Sequence, residues 1–204
     1  MSRVKITYAD VAWLAKDHGL GEVWCLTLVR GLGEAEVLRR MSAREESIRP
    51  LTYRKLMDEE LFPGTVLVGR LDGWSALIEV SGWQGTEPDV LRVLSAGTEV
   101  VSVLRHDYAA HEFVYAVDGE RVTFFDPVIP AWRYGSDPDR LVDAMSGAGF
   151  DLGYEPVEEG GAGNLDHPVV DGALLLMARL TGVMLTQDVL SGSLLSGVIA
   201  THRP

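Results

Sequence analysis

Two Asp-Gly pairs constrain this chain more than any other feature. Asp72-Gly73 separates the run Thr65–Leu71 from Trp74–Val80, and Asp118-Gly119 separates His111–Val117 from Glu120–Phe125. An Asp-Gly link between strand-forming runs marks a β-hairpin, because a type I′ turn needs positive φ at both positions and these residues tolerate it. Each pair predicts two adjacent antiparallel strands. Together they commit the middle of the chain to a mainly antiparallel sheet.

A second pattern adds helices. Trp74–Val80 runs into a glycine-punctuated loop, and Thr86-Glu87-Pro88-Asp89 then combines a capping residue, two acids and a first-turn proline. This is helix N-terminus chemistry, with Thr86 as the expected cap. Val90, Leu91 and Leu94 follow at helical spacing, and Gly97 stands where a helix ends. Strand Trp24–Val29 is followed by Gly31, Gly33, Glu34, Glu36, Val37, Leu38 and Met41 in the same arrangement. Strand Val122–Phe125 is followed by Ser136-Asp137-Pro138-Asp139 and Leu141. The three stretches are either an internal duplication or what capping chemistry imposes on any short helix after a strand.

The remaining segments fit an α+β domain spanning residues 1–204. Tyr8–Asp17 and Thr52–Leu61 have helical patterns, and Val169–Thr181 is apolar enough for a buried helix. Thr186–Leu190 predicts a brief helix, and Glu99–Leu104 and Leu194–Ala200 predict strands. Residues 44–50 are polar and broken by Pro50, which argues against regular structure there. Residues 151–164 hold Asp151, Glu155, Glu158 and Glu159 among glycines and predict an exposed loop.

Charge is distributed unevenly. The net charge is −12, and residues 106–175 carry 14 acids against 3 bases. Such a surface repels phosphates, so general nucleic-acid binding is excluded, while a basic protein partner is suited. Three lysines accompany fifteen arginines, as in proteins of high-GC genomes. Cys25 is the one cysteine, so no intrachain disulfide forms; its place in a strand predicts a buried small hydrophobe. The N-terminal residues lack a signal-peptide core, and Ala173–Leu185 is too short to cross a bilayer and contains Arg179. A cytoplasmic protein without membrane contact is the expectation.

Familiar chemistries find little support. Gly31-Leu32-Gly33 opens a helix as a dinucleotide loop would, but Glu34 and Glu36 would repel a pyrophosphate. His111-Glu112 lacks the second histidine of a zinc-protease helix, since Tyr115 stands in its place. His106 and His111 flank a turn but gather no third ligand, so no zinc and no cofactor is expected. The best pocket candidate is the exit of the last hairpin strand, where Asp126 is followed by Trp132 and Tyr134. An acid among aromatics can hold a raised pKa and serve as acid or base, although the same Asp before Pro127 also suits a turn.

The runs CLTLVRGLGEAEVLRR, VGRLDGW, EPDVLRVLSAG and FVYAVDGERVTFFDP resemble an uncharacterised family of small acidic proteins from high-GC bacteria, a domain of unknown function. The resemblance covers Trp13–Gly149, leaving residues 150–204 as an extension. It implies an α+β domain and supplies no catalytic residue. The residues favour a protein-interaction module over an enzyme. In this reading Glu155, Glu158 and Glu159 face a basic partner, as in a toxin-neutralising protein. The rival is a small-molecule binder or enzyme built on Asp126, Trp132 and Tyr134. A pocket lined by those three would favour the rival; a closed turn would favour the interaction module.

Overall fold

The computed structural model describes residues 6–15, 19–153 and 169–200. The first half contains α1 (Tyr8–Val11), β1 (Val23–Arg30), α2 (Glu34–Arg40), β2 (Arg49–Thr52), α3 (Tyr53–Asp58), β3 (Thr65–Leu71) and β4 (Trp74–Val80). The second contains α4 (Pro88–Leu94), β5 (Glu99–His106), β6 (Glu112–Val117), β7 (Glu120–Phe125) and β8 (Arg133–Tyr134). It closes with α5 (Val142–Gly147), α6 (Val169–Thr181), α7 (Gln187–Ser191) and β9 (Ser193–Val198). The fold is α+β. Among the described residues nine strands form one sheet in the order β2-β9-β3-β4-β1-β5-β6-β7-β8, and every pairing is antiparallel.

The two Asp-Gly pairs lie where adjacent strands reverse. Leu71 faces Trp74, and Val117 faces Glu120. Asp118 and Gly119 both have positive φ, at 50° and 86°. At the other link the glycine alone is left-handed, with Gly73 at 71°. One left-handed residue at the second central position is enough to reverse the chain, so the expected pair of positive angles is not needed there.

Strand alternation divides the interior into two layers. Trp24, Leu26 and Leu28 of β1 and Ala76 and Ile78 of β4 face α1, α3, α5, α6 and α7. Val29, Leu77, Val100 and Val114 face α2 and α4 across the other side. Every residue of β4 is buried, because helices cover both sheet faces. Helix α6 is the most enclosed, with nine of its thirteen residues buried.

Several local expectations are corrected. The first helix is one turn closed by Thr7 and Asp10, whose carboxylate accepts from the Thr7 amide and hydroxyl at 2.8 and 2.7 Å. A 3-10 turn follows over Ala12–Ala15. Thr86 does not cap α4: it is buried in a 3-10 turn, donates to the Trp83 carbonyl, and leaves Glu87 as the cap before Pro88. Ser136 caps nothing either. The Ser136 and Asp137 amides donate to Arg121 and Val122, and Thr123 donates to the Asp137 carbonyl, so this stretch extends the sheet edge. Helix α5 starts only at Val142, and its Met145 packs on the sheet face opposite to α2 and α4. The third strand-loop-helix stretch thus departs from the first two. Strand β2 arises in the segment that Pro50 argued against. It is an edge strand, where a proline without an N–H costs the ladder little.

Candidate functional site

One end of the sheet gathers most of the chemistry. There β1 begins, β4 leaves into residues 81–87, β5 ends at His106, β6 begins at Glu112 and β7 ends beside Asp126. Register places Cys25 directly opposite Glu79, and opposite Leu104 on its other side. Alternation turns Cys25, Thr27, Glu79 and Ser102 to one face, under the loop that carries Gly85.

These side chains form a sealed polar cluster. Glu79 is 1% exposed, and its Oε2 accepts from the Gly85 amide at 2.9 Å. The Gln84 amide supports the same carboxyl. Its Oε1 has no hydrogen-bond partner among the described residues. Burial is the main cause that pushes the Glu79 carboxyl up to about 7, against the pull of the loop amides. The Cys25 Sγ is 3.5 Å from Thr27 Oγ1 and lies beside Glu79. Burial, with the neighbouring carboxyl, raises the thiol well above its ordinary value, which favours the protonated form of Cys25. Ser102 donates to the Gly85 carbonyl at 2.7 Å, which leaves Thr27 as donor to Ser102 at 2.8 Å. Glu112, also raised by burial, stands against Thr86 at the cluster's edge.

Gly85 is the piece that closes it. A Cβ there would lie 2.2 Å from Thr27 Oγ1 and 3.0 Å from Cys25 Sγ. Only a backbone without a side chain can approach the strands this closely.

Beside the cluster, the His106 ring packs between Trp83 and Tyr108, with centroids 5.9 and 6.3 Å away. The His106 amide donates to His111 Nδ1 at 3.1 Å, which requires that nitrogen to be unprotonated. Burial lowers the His111 pKa accordingly, opposed by the nearby Asp126 carboxylate. The two histidines therefore close their own turn.

Asp126 and Tyr134 each have local partners. Asp126 Oδ1 accepts from the Val128 amide at 2.8 Å, a closed Asx turn, and burial raises its carboxyl. Tyr134 pairs with Phe124 across the strands, with ring centroids 5.5 Å apart, and Arg121 covers the Phe124 ring at 4.0 Å. Trp132 and Tyr134 remain 49% and 54% exposed. Two open grooves of about 440 Å³ each flank the sheet, one beside Arg30 and Glu99 and one between α4 and β7, and neither is lined by these three residues. Glu155, Glu158 and Glu159 lie outside the described residues.

The sequence reading missed Glu79. The available signal was one acid inside the apolar run WSALIEV, at a position the pleat turns toward Cys25. A buried charge within a two-sided strand calls for a partner or a shifted pKa.

A large antiparallel sheet covered on both faces, with a buried acid–thiol cluster at one end, defines the chain as an α+β protein. The chain belongs to a family of unknown function, DUF6461, whose match runs over residues 4–203 and so includes β9 and the other C-terminal elements. No curated protein and no solved structure matches it.

Proposed function

We propose that this chain is a cytoplasmic protein-interaction module that binds a basic partner through the acidic part of its surface. The observation that carries the reading is a coincidence of charge and exposed aromatics. Among the described residues the large exposed hydrophobics are Val93, Tyr108, Trp132 and Tyr134. The three aromatics all fall within residues 106–175, which carry 14 acids and 3 bases. Exposed Trp and Tyr supply most of the binding energy at many interfaces, while surrounding charge sets the encounter rate and the choice of partner. Glu155, Glu158 and Glu159 belong to the same acidic stretch and are proposed to take part. Neutralisation of a basic toxin is one form such binding would take.

The rival, a ligand site or enzyme at Asp126, has less support. Its carboxylate already closes a turn on the Val128 amide, and Trp132 and Tyr134 are about half exposed to solvent. The test is retrieval of partners from the native host with wild-type and W132A/Y134A baits. The reading expects a basic protein retained by the wild type at low salt and lost by the double variant. Equal retention by both baits would move the interface elsewhere.

A further inference from the structure

The turn between β5 and β6 is closed by a histidine that serves as an acceptor. The His106 amide donates to His111 Nδ1 at 3.1 Å, and the Ala109 amide donates to the His106 carbonyl, also at 3.1 Å. Residues 107–110 between them are exposed to solvent, with Tyr108 75% exposed. The turn is tied to the start of β1 through Glu22. The Asp107 amide donates to the Glu22 carbonyl at 3.1 Å, and the Tyr108 hydroxyl donates to the Glu22 carboxylate.

A backbone amide can only donate. His111 Nδ1 must therefore present a lone pair, and the ring proton sits on Nε2. A second proton would turn Nδ1 into a donor facing a donor, so an imidazolium cannot keep this contact. The charged groups around the ring come from both neighbouring strands. Asp126 at the end of β7 and Asp107 in the turn attract an imidazolium, while Arg105 and His106 of β5 oppose it. Arg105 is itself held by both Asp107 oxygens, at 2.8 and 2.7 Å. Glu112, next to His111 in β6, is engaged with Thr86 and lies 4.0 Å from Arg121. Burial lowers the His111 pKa, as befits a ring that gains its proton on leaving this position.

We propose that residues 106–111 form a proton-operated switch: neutral His111 latches the turn by accepting from the His106 amide, and protonation of His111 releases it, loosening the segment that carries Tyr108. The latch is present above the ordinary histidine range and is lost as pH falls through it. The switch belongs to the chain alone. Its bearing on a partner, through Tyr108, rests on the interaction reading above, and a test without a partner keeps the two separate.

The readout is exchange protection of the His106 amide in the whole chain, with each rate divided by the unstructured rate at the same pH. Release and proton uptake are coupled one to one. Protection should therefore fall by up to about tenfold per unit as pH drops below about 6.5. In H111N a side-chain oxygen stands near the place of Nδ1, accepts from the same amide and does not titrate, so protection stays flat. Flat protection in the wild type between pH 7 and 5, or the same fall in H111N, overturns the proposal. Nitrogen-15 spectra of the wild-type imidazoles decide the matter even if H111N folds poorly. His111 Nδ1 should be unprotonated at neutral pH and gain its proton over the range in which the His106 amide loses protection. A protonated Nδ1 at neutral pH, or a fall in protection out of step with that titration, overturns it. Parallel loss of protection at Leu26 and Val103 would mean global unfolding and would also overturn it.

Discussion

Gly85 and Glu79 show how single atoms decide local structure in this protein. A methyl group at position 85 has no room, since its nearest neighbours are a threonine hydroxyl and a thiol fixed on a buried strand. G85A should cost about 1–3 kcal/mol of stability by overpacking, read as a lowered urea midpoint with unchanged slope. Glu79 makes stability depend on pH. Its carboxyl titrates at about 7 when folded and near 4.5 when free, so below 4.5 both states hold the proton and the full contribution is present. As pH rises toward 7, the unfolded chain has already released its proton, and stability falls by up to about 3 kcal/mol. Glu112 and Asp126, also raised by burial, act in the same direction. His111, lowered by burial, acts oppositely and removes stability as pH drops below its ordinary value. The difference between wild type and E79Q, followed by urea denaturation from pH 5 to 8, isolates the Glu79 part. It should shrink that fall; an identical profile in both proteins would contradict the assignment.

At the scale of elements, the caps are the parts whose energies can be isolated. Thr52 accepts from the Lys55 amide at the start of α3, and Thr186 from the Val189 amide at the start of α7. The sequence places both residues at the starts of short helices, Thr52 as an expected cap. T186A should cost about 1 kcal/mol, measured as a lower thermal midpoint, because one helix amide loses its acceptor. The same local logic misplaced Thr86 and Ser136. Capping residues compete for several roles, and in both places tertiary contacts claimed them: Thr86 sits in the buried turn beside Glu112, and Ser136 continues the edge of β7. The long strands were legible because Val, Leu and Ile runs bounded by Asp-Gly or glycine leave few alternatives. Strand order was not. Nothing local to β9 says that it enters between β2 and β3, where Leu195 faces Pro50 on one side and Val68 on the other. The acid–thiol cluster was equally hidden, since it exists only through the register of β1 against β4.

For the whole molecule the dominant fact is an imbalance of charge. The first 105 residues are nearly neutral, and the net negative charge is concentrated in residues 106–175, where bases are scarce. Part of that charge is internally paired, as in Arg133–Asp139 at 2.7 Å and Arg105–Asp107 at 2.7 Å. In the proposed interaction the solvent-facing acids steer a partner, with an influence that extends over roughly a Debye length, ~8 Å at physiological salt. The most direct test measures the association rate of the chain with the basic protein it retrieves from its host, at low and high salt, for wild type and for a variant with Glu155, Glu158 and Glu159 all changed to glutamine. The account predicts fast association that falls steeply with salt in the wild type, and a slower, flatter dependence in the variant. Equal rates at low salt, or a wild-type rate indifferent to salt, would contradict it.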